Sequence, residues 1–145
     1  MTKTQILNFF SDFVKIQSVS TDKKRFFEIK KAVSFLKDFL LKLGFSVKIL
    51  EKEKTPPLIL ASFIFDKNAK TIGIYGHYDV QPEDPVSEWQ TPPFLLTQKD
   101  GKFYGRGVAD DKGHIVQNIF AVQKLIEEKK LKNNIVFILE GEEET

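Results

Sequence analysis

Apolar residues recur at helical spacing from the start of the chain. Ile6, Phe9, Phe10, Phe13 and Ile16 share one side of a 3.6-residue period, which predicts an amphipathic helix over residues 3–16. A second helix is predicted over 24–43, with Phe26, Ile29, Val33, Leu36, Phe39, Leu40 and Leu43 on one side and Gly44 as a natural stop. Beyond that glycine the period drops to two. Phe45, Val47 and Ile49 alternate with polar residues, and 58–65 and 71–75 are short apolar runs, so three strands are predicted, the latter two central in their sheet. Residues 81–93 hold four prolines and three acidic residues and read as a long loop, of the kind compact domains retain for function. Residues 95–98 and 102–104 flank Asp100-Gly101 and predict a hairpin. A third helix over 113–128 has Ile115, Ile119, Val122 and Ile126 as its inner face, and Asn133-Asn134 lead into a last strand over 135–139. Helices alternating with apolar strands predict an α/β sandwich, with any site in loops at the carboxyl ends of the strands.

With 145 residues, 41% of them hydrophobic, one real core can form and a second complete domain cannot. The net charge is only +2, and 20 of the 22 basic residues are lysines. Nucleic-acid recognition leans on arginine forks, so no nucleic-acid partner is expected. Cysteine is absent, which excludes disulfides and thiolate ligands, so any metal must sit on oxygen and imidazole. The N-terminus lacks the apolar core and cleavage site of a signal peptide, and no apolar run approaches membrane-spanning length. A cytoplasmic protein without a membrane partner is therefore the expectation.

Three polar clusters stand at or beyond strand ends: His77-Tyr78-Asp79, Asp110-Asp111 and Glu142-Glu143-Glu144. Residues two apart in extended chain face the same way, so His77 can bind a metal while Asp79 fixes its tautomer; equally, His77 can bond within a turn and Asp79 cap a loop. Asp110-Asp111 precedes a helix, where aspartates cap amides. Gly105, Gly107 and Gly113 leave little bulk around them, which suits close backbone approach to an ion. The glutamates read either as a solvated acidic turn or as a metal ligand beside a proton acceptor, a division of labour that hydrolytic sites need. Lys112 is expected to be solvated or paired with a carboxylate, and His114 to be structural. Trp89 and Pro92-Pro93-Phe94 are expected to cover a sheet edge.

The strings GHYDVQP (76–82), EWQTPPF (88–94), DGKFYGRGVADDKG (100–113) and LEGEEET (139–145) occur in one order. Together they resemble the dinuclear-zinc metallopeptidase family of aminoacylase, carboxypeptidase G, succinyl-diaminopimelate desuccinylase and carnosinase, nearest the carnosinase-like dipeptidase branch. The resemblance covers the whole chain. It implies a three-layer α/β sandwich, a mixed and mostly parallel sheet flanked by helices. It also implies two zinc ions per complete site, cobalt or manganese being accepted by the same donors. Carried over, His77 is a ligand of one zinc and Asp79 orients it. Asp110 bridges both ions, and Asp111 supports at a position where the family commonly has a cis peptide link. Glu143 is the general base and Glu144 a ligand of the second zinc. Glu142 has no role, and three consecutive glutamates also permit this register slipped by one residue.

The resemblance further implies hydrolysis of an amide bond in a small peptide. Hydrolysis of an N-acyl amino acid is the alternative. Residues 1–145 correspond to the N-terminal part of the family's catalytic domain. The lid and dimerisation domain of a homodimer, a further acidic ligand and a late histidine ligand are not among them, which leaves each ion one protein ligand short of the usual three. The chain alone is therefore expected to be inactive, and a non-catalytic remnant or a metal- or partner-binding module is the third reading.

Overall fold

The computed structural model describes residues 2–145. Helix α1 spans Lys3–Lys15 and begins in a capping box: the Thr2 hydroxyl accepts from the Gln5 amide, and the Gln5 side chain accepts from the Thr2 amide. Helix α2, Phe26–Lys42, follows a single 3-10 turn, Lys23–Arg25, and ends at Gly44, whose φ of +88° a side chain would strain. Helix α3 is Lys112–Glu127. The three predicted stripes face one another through phenylalanine. The Phe9 ring lies 4.6 Å from Phe35, 4.3 Å from Phe39 and 5.2 Å from Phe120, so all three helices share one face of the sheet.

The strands are β1 Ser46–Leu50, β2 Leu58–Phe63, β3 Thr71–His77, β4 Thr97–Lys99, β5 Lys102–Tyr104 and β6 Asn134–Glu140. Strands β4 and β5 form the predicted hairpin, turning through Asp100 and Gly101, both at positive φ. The main sheet is mixed, in the order β1-β2-β6-β3: β1–β2 and β2–β6 are antiparallel and β3–β6 is parallel. Ile59, Ala61, Ile135, Phe137 and Leu139 alternate onto the helix side and are buried; Leu60, Val136 and Ile138 on the other side are only partly so.

One expectation needs correction. Residues 71–75 do not form a central strand; β3 pairs only with β6 among the described residues, and Ile72 and Tyr75 are 47% and 55% exposed. The central place beside β2 belongs to β6. A short apolar run signals a strand but carries no information on how many neighbours it has. The parallel pairing sets His77 beside Glu140, so the clusters that follow β3 and β6 leave the sheet side by side.

The proline-rich loop after β3 is pinned. Arg25 makes a two-pronged bond to Glu83 at 2.8 and 2.7 Å, the Trp89 indole donates to the Glu83 carbonyl, and Arg106 donates to the Pro82 carbonyl. Trp89 stacks beneath the Arg106 guanidinium at 5.1 Å, and Phe94 lies 5.9 Å from that of Arg25. Each ring thus packs against an arginine. Among the described residues no helix is long and apolar enough to cross a membrane.

Candidate metal centre

His77 ends β3 with its side chain 6% exposed, and Asp79, two residues on, is fully buried. As the period-two argument requires, both face one way: His77 Nδ1 lies 3.3 Å from Asp79 Oδ1. The other ring nitrogen, Nε2, is 2.8 Å from Asp110 Oδ1 and 4.0 Å from Glu143 Oε2. His77, Asp110 and Glu144 each offer one ligand atom within 4.8 Å of the others. The clusters from the ends of β3 and β6 and from the entry to α3 therefore meet at one point.

Asp79 organises this meeting. Its Oδ1 faces the imidazole, and its Oδ2 accepts from the Ser20 hydroxyl at 2.7 Å and from the Glu144 amide at 3.0 Å. Burial works against a charge on Asp79, yet the contacts from His77, Ser20 and Glu144 prevail and hold its pKa below the ordinary carboxylate value. Ser20 is delivered by a short extended segment after α1, where Val19 bridges Val80 in parallel, Ser18 donates to the Tyr78 carbonyl and the Val80 amide donates to the Ser18 carbonyl.

Burial alone would make His77 a weaker base. The close approach of the Asp79 carboxylate at 3.3 Å and the bond to Asp110 outweigh that and raise its pKa from 6.5 to about 9. Carboxylates thus surround a ring that favours a positive charge at this point. A divalent cation on Nε2 answers the same demand, and one imidazole with carboxylates is a donor set that zinc accepts. Asp79 stands behind Nδ1, as the partner that fixes the tautomer of a ligating histidine. The residues present therefore fit a metal.

The remaining predicted residues fall around this core. The peptide link Asp110-Asp111 is cis. Asp111 is no member of the converging set: its Oδ2 accepts from the His77 amide at 3.1 Å and its Oδ1 lies 2.7 Å from His114 Nδ1. Glu142 and Glu143 are exposed. Glu144 is held by Gln81, whose amide donates to its Oε2 at 2.7 Å.

Two readings are overturned. Lys112 is neither solvated nor paired with a carboxylate; it is fully buried, donates to the carbonyls of Phe13 and Ile16 at the end of α1, and lies 4.9 Å from the Phe13 ring. Burial pushes its pKa down to about 7, against the pull of Glu28 and Asp79. The glycines do not leave room for an ion either. A Cβ on Gly113 would stand 2.0 Å from the Val108 carbonyl oxygen, and one on Gly107 2.7 Å from Val80, so the space is used for close packing of the chain itself.

Ser20 and Gln81 escaped sequence reasoning. For Gln81 a signal was present, because the alternation that aligns His77 with Asp79 extends to 81. Ser20 had none beyond a short Ser-Val-Ser run.

Residues 73–145 match the family described as Peptidase family M20/M25/M40. The chain belongs to this family. Among M20/M25/M40 relatives, human Beta-Ala-His dipeptidase is 48% identical over 90 residues, 61% of this chain and 18% of that protein. The Cys-Gly metallodipeptidase DUG1 of Candida albicans is 37% identical over 149 residues, 91% of this chain and 30% of its own. The crystal structure of human carnosine dipeptidase 1 superposes with a TM-score of 0.91 at 34% identity, covering 98% of this chain and 32% of that one. The M20 chain described here thus spans about a fifth to a third of the length of these relatives.

Proposed function

We propose that this chain contributes the first half of a two-zinc centre in a metallodipeptidase, as the N-terminal part of its catalytic domain. The observation that carries the reading is the convergence of His77, Asp110 and Glu144 in front of a buried Asp79. Support for the substrate class comes from relatives named for dipeptides and from 34% identity maintained across the superposed carnosine dipeptidase fold.

His77 and Asp110 would hold one zinc, and Asp110 and Glu144 the other. When bound, the ions supply Lewis acidity: they polarise the scissile carbonyl and acidify water. The chain's own residues do the rest. Asp79 keeps the His77 proton on Nδ1 and leaves Nε2 free as a donor atom. Glu143, exposed and with no hydrogen-bond partner for its carboxylate among the described residues, lies 4.0 Å from Nε2. It takes the proton of the attacking water and returns it to the leaving amine. Glu144, held from behind by Gln81, is kept from that task.

The test is zinc titration by calorimetry on the purified protein and on Asp110→Ala, with both folds checked by circular dichroism. It is followed, on the full-length protein that carries this chain, by hydrolysis of a dipeptide against an acetylated or succinylated amino acid after zinc reconstitution. Zinc binding lost in Asp110→Ala, with preference for the dipeptide, is expected. Unchanged binding in Asp110→Ala would sink the metal assignment; preference for the acyl substrate would replace dipeptidase by deacylase.

A further inference from the structure

We propose that Gln81 is the positioning residue for the Glu144 carboxylate: it occupies one oxygen so that the other is presented to the metal. This rests on the reading of Glu144 as a ligand. The Gln81 amide donates to Glu144 Oε2 at 2.7 Å and, more weakly, to the Glu144 carbonyl at 3.4 Å, so one side chain grips both ends of the residue. The Glu144 amide is tied in turn to Asp79 Oδ2. A glutamate has three rotatable side-chain bonds and would otherwise sample many positions at this partly exposed site. With its backbone and one oxygen fixed, the carboxylate is held beside His77 and Asp110, and its second oxygen has no hydrogen bond among the described residues.

The grip works because Gln81 is itself held. Before it, the Val80 amide donates to the Ser18 carbonyl; after it, Arg106 bonds the Pro82 carbonyl and Arg25 forks onto Glu83. The choice of side chain is also chemical. A glutamine amide donates without bringing a charge, whereas a lysine would compete with the cation and a glutamate would repel Glu144. By this reading the proline-rich loop after β3 is the mount of a supporting residue, and the Arg25–Glu83 pair serves the metal from outside the site.

The experiment is zinc calorimetry on the purified protein, on Gln81→Leu and Gln81→Glu, on Glu144→Gln, and on the double variant Gln81→Leu/Glu144→Gln, with melting of each metal-free protein. Removal of a partner that orients a metal ligand typically lowers affinity by about 10–100-fold. Both Gln81 variants are expected to fall in that range while melting like the wild type. In the Glu144→Gln background Gln81→Leu is expected to add nothing. Wild-type affinity in Gln81→Leu, alongside a loss in Glu144→Gln, overturns the role of Gln81 and leaves the metal centre standing. Equal losses from Gln81→Leu in both backgrounds also overturn it, since the effect then does not pass through Glu144. Absence of zinc binding by the wild type overturns the metal centre and this role together.

Discussion

Gly141 connects β6 to the glutamates and is packed against the ring of Tyr78. A Cβ there would stand 2.3 Å from Tyr78 Cε2, 2.4 Å from Cζ and 2.6 Å from the hydroxyl oxygen. Carbon atoms settle at about 3.5–4.0 Å, so Gly141→Ala creates an overlap of more than ~1 Å. The ring has nowhere to go, because Tyr78 is fully buried and its hydroxyl donates to the Pro57 carbonyl. The backbone at 141 must shift, and Glu143 and Glu144 shift with it. Overpacking of this kind costs about 1–3 kcal/mol, and a clash with a fixed ring belongs at the upper end. At roughly 3 °C per kcal/mol for a chain of this size, the melting midpoint should fall by about 6–9 °C. A misplacement on the order of 1 Å costs about 10²-fold in rate, so kcat/KM of the full-length protein that carries this chain should fall by about that factor for a dipeptide. Thermal melts and steady-state kinetics on Gly141→Ala give both quantities, and a cycle with Tyr78→Leu identifies their source. In the Tyr78→Leu background the alanine should cost less than about 1 kcal/mol, because the opposing ring atoms are gone. Equal costs in both backgrounds, or full activity in Gly141→Ala, would refute the reasoning.

Other perturbations have equally direct readouts. Ser20→Ala removes a hydroxyl donor from a fully buried carboxylate and should destabilise by about 2 kcal/mol; a loss below ~0.5 kcal/mol by denaturant titration would show that the bond is not needed. The Arg25–Glu83 side chains are 26% and 16% exposed, between a surface and a buried pair, so Glu83→Gln should cost about 1–2 kcal/mol at neutral pH. Because the bond to Arg25 lowers the Glu83 pKa in the folded state, that contribution is complete above the ordinary value of 4.5 and fades as pH falls through the depressed one. Wild type and Glu83→Gln should therefore converge in stability in acid, and a gap that stays constant down to pH 2 would be inconsistent with the pair. Zinc at a hundred times its dissociation constant should raise the unfolding free energy by about 2.7 kcal/mol, with chelator reversing the gain. Scanning calorimetry should show no such gain in Asp110→Ala.

How far the sequence went is decided by the range of each signal. Helical and alternating periods are local, so α1, α2, α3 and all the strands were legible within a few residues. The pair His77 and Asp79 was legible for the same reason: two residues in one extended stretch share a face whatever lies around them. The order of strands in the sheet is not a local property, and β3, read as central, lies outermost because β6 pairs on both sides. Lys112 was misread by the same limit. A lysine between an aspartate and a glycine looks solvated until the end of α1 is placed over it, where the Phe13 and Ile16 carbonyls accept from its ammonium. Gly105, Gly107 and Gly113 were correctly singled out as positions where bulk is excluded, but their nearest neighbours proved to be Val108 and Val80 rather than an ion.

The acidic triplet shows what the fold adds to the motif. In sequence, Glu142, Glu143 and Glu144 are equivalent, and nothing local separates a ligand from a base or from a solvated charge. In the structure they differ by what reaches them. The amide of Glu144 is bound by Asp79 and its carboxylate by Gln81, both carried on the segment that leaves β3. Among the described residues the Glu143 carboxylate approaches the His77 imidazole at 4.0 Å without a hydrogen bond, and Glu142 is exposed. That asymmetry depends on the parallel register that sets His77 against Glu140; a one-residue slip would turn each side chain to the opposite face. The proposed assignment of Glu144 as ligand and Glu143 as base therefore rests on strand register as much as on the identity of the residues. Gly141, which lets the chain pass close over Tyr78, is the position at which that register is transmitted to the site.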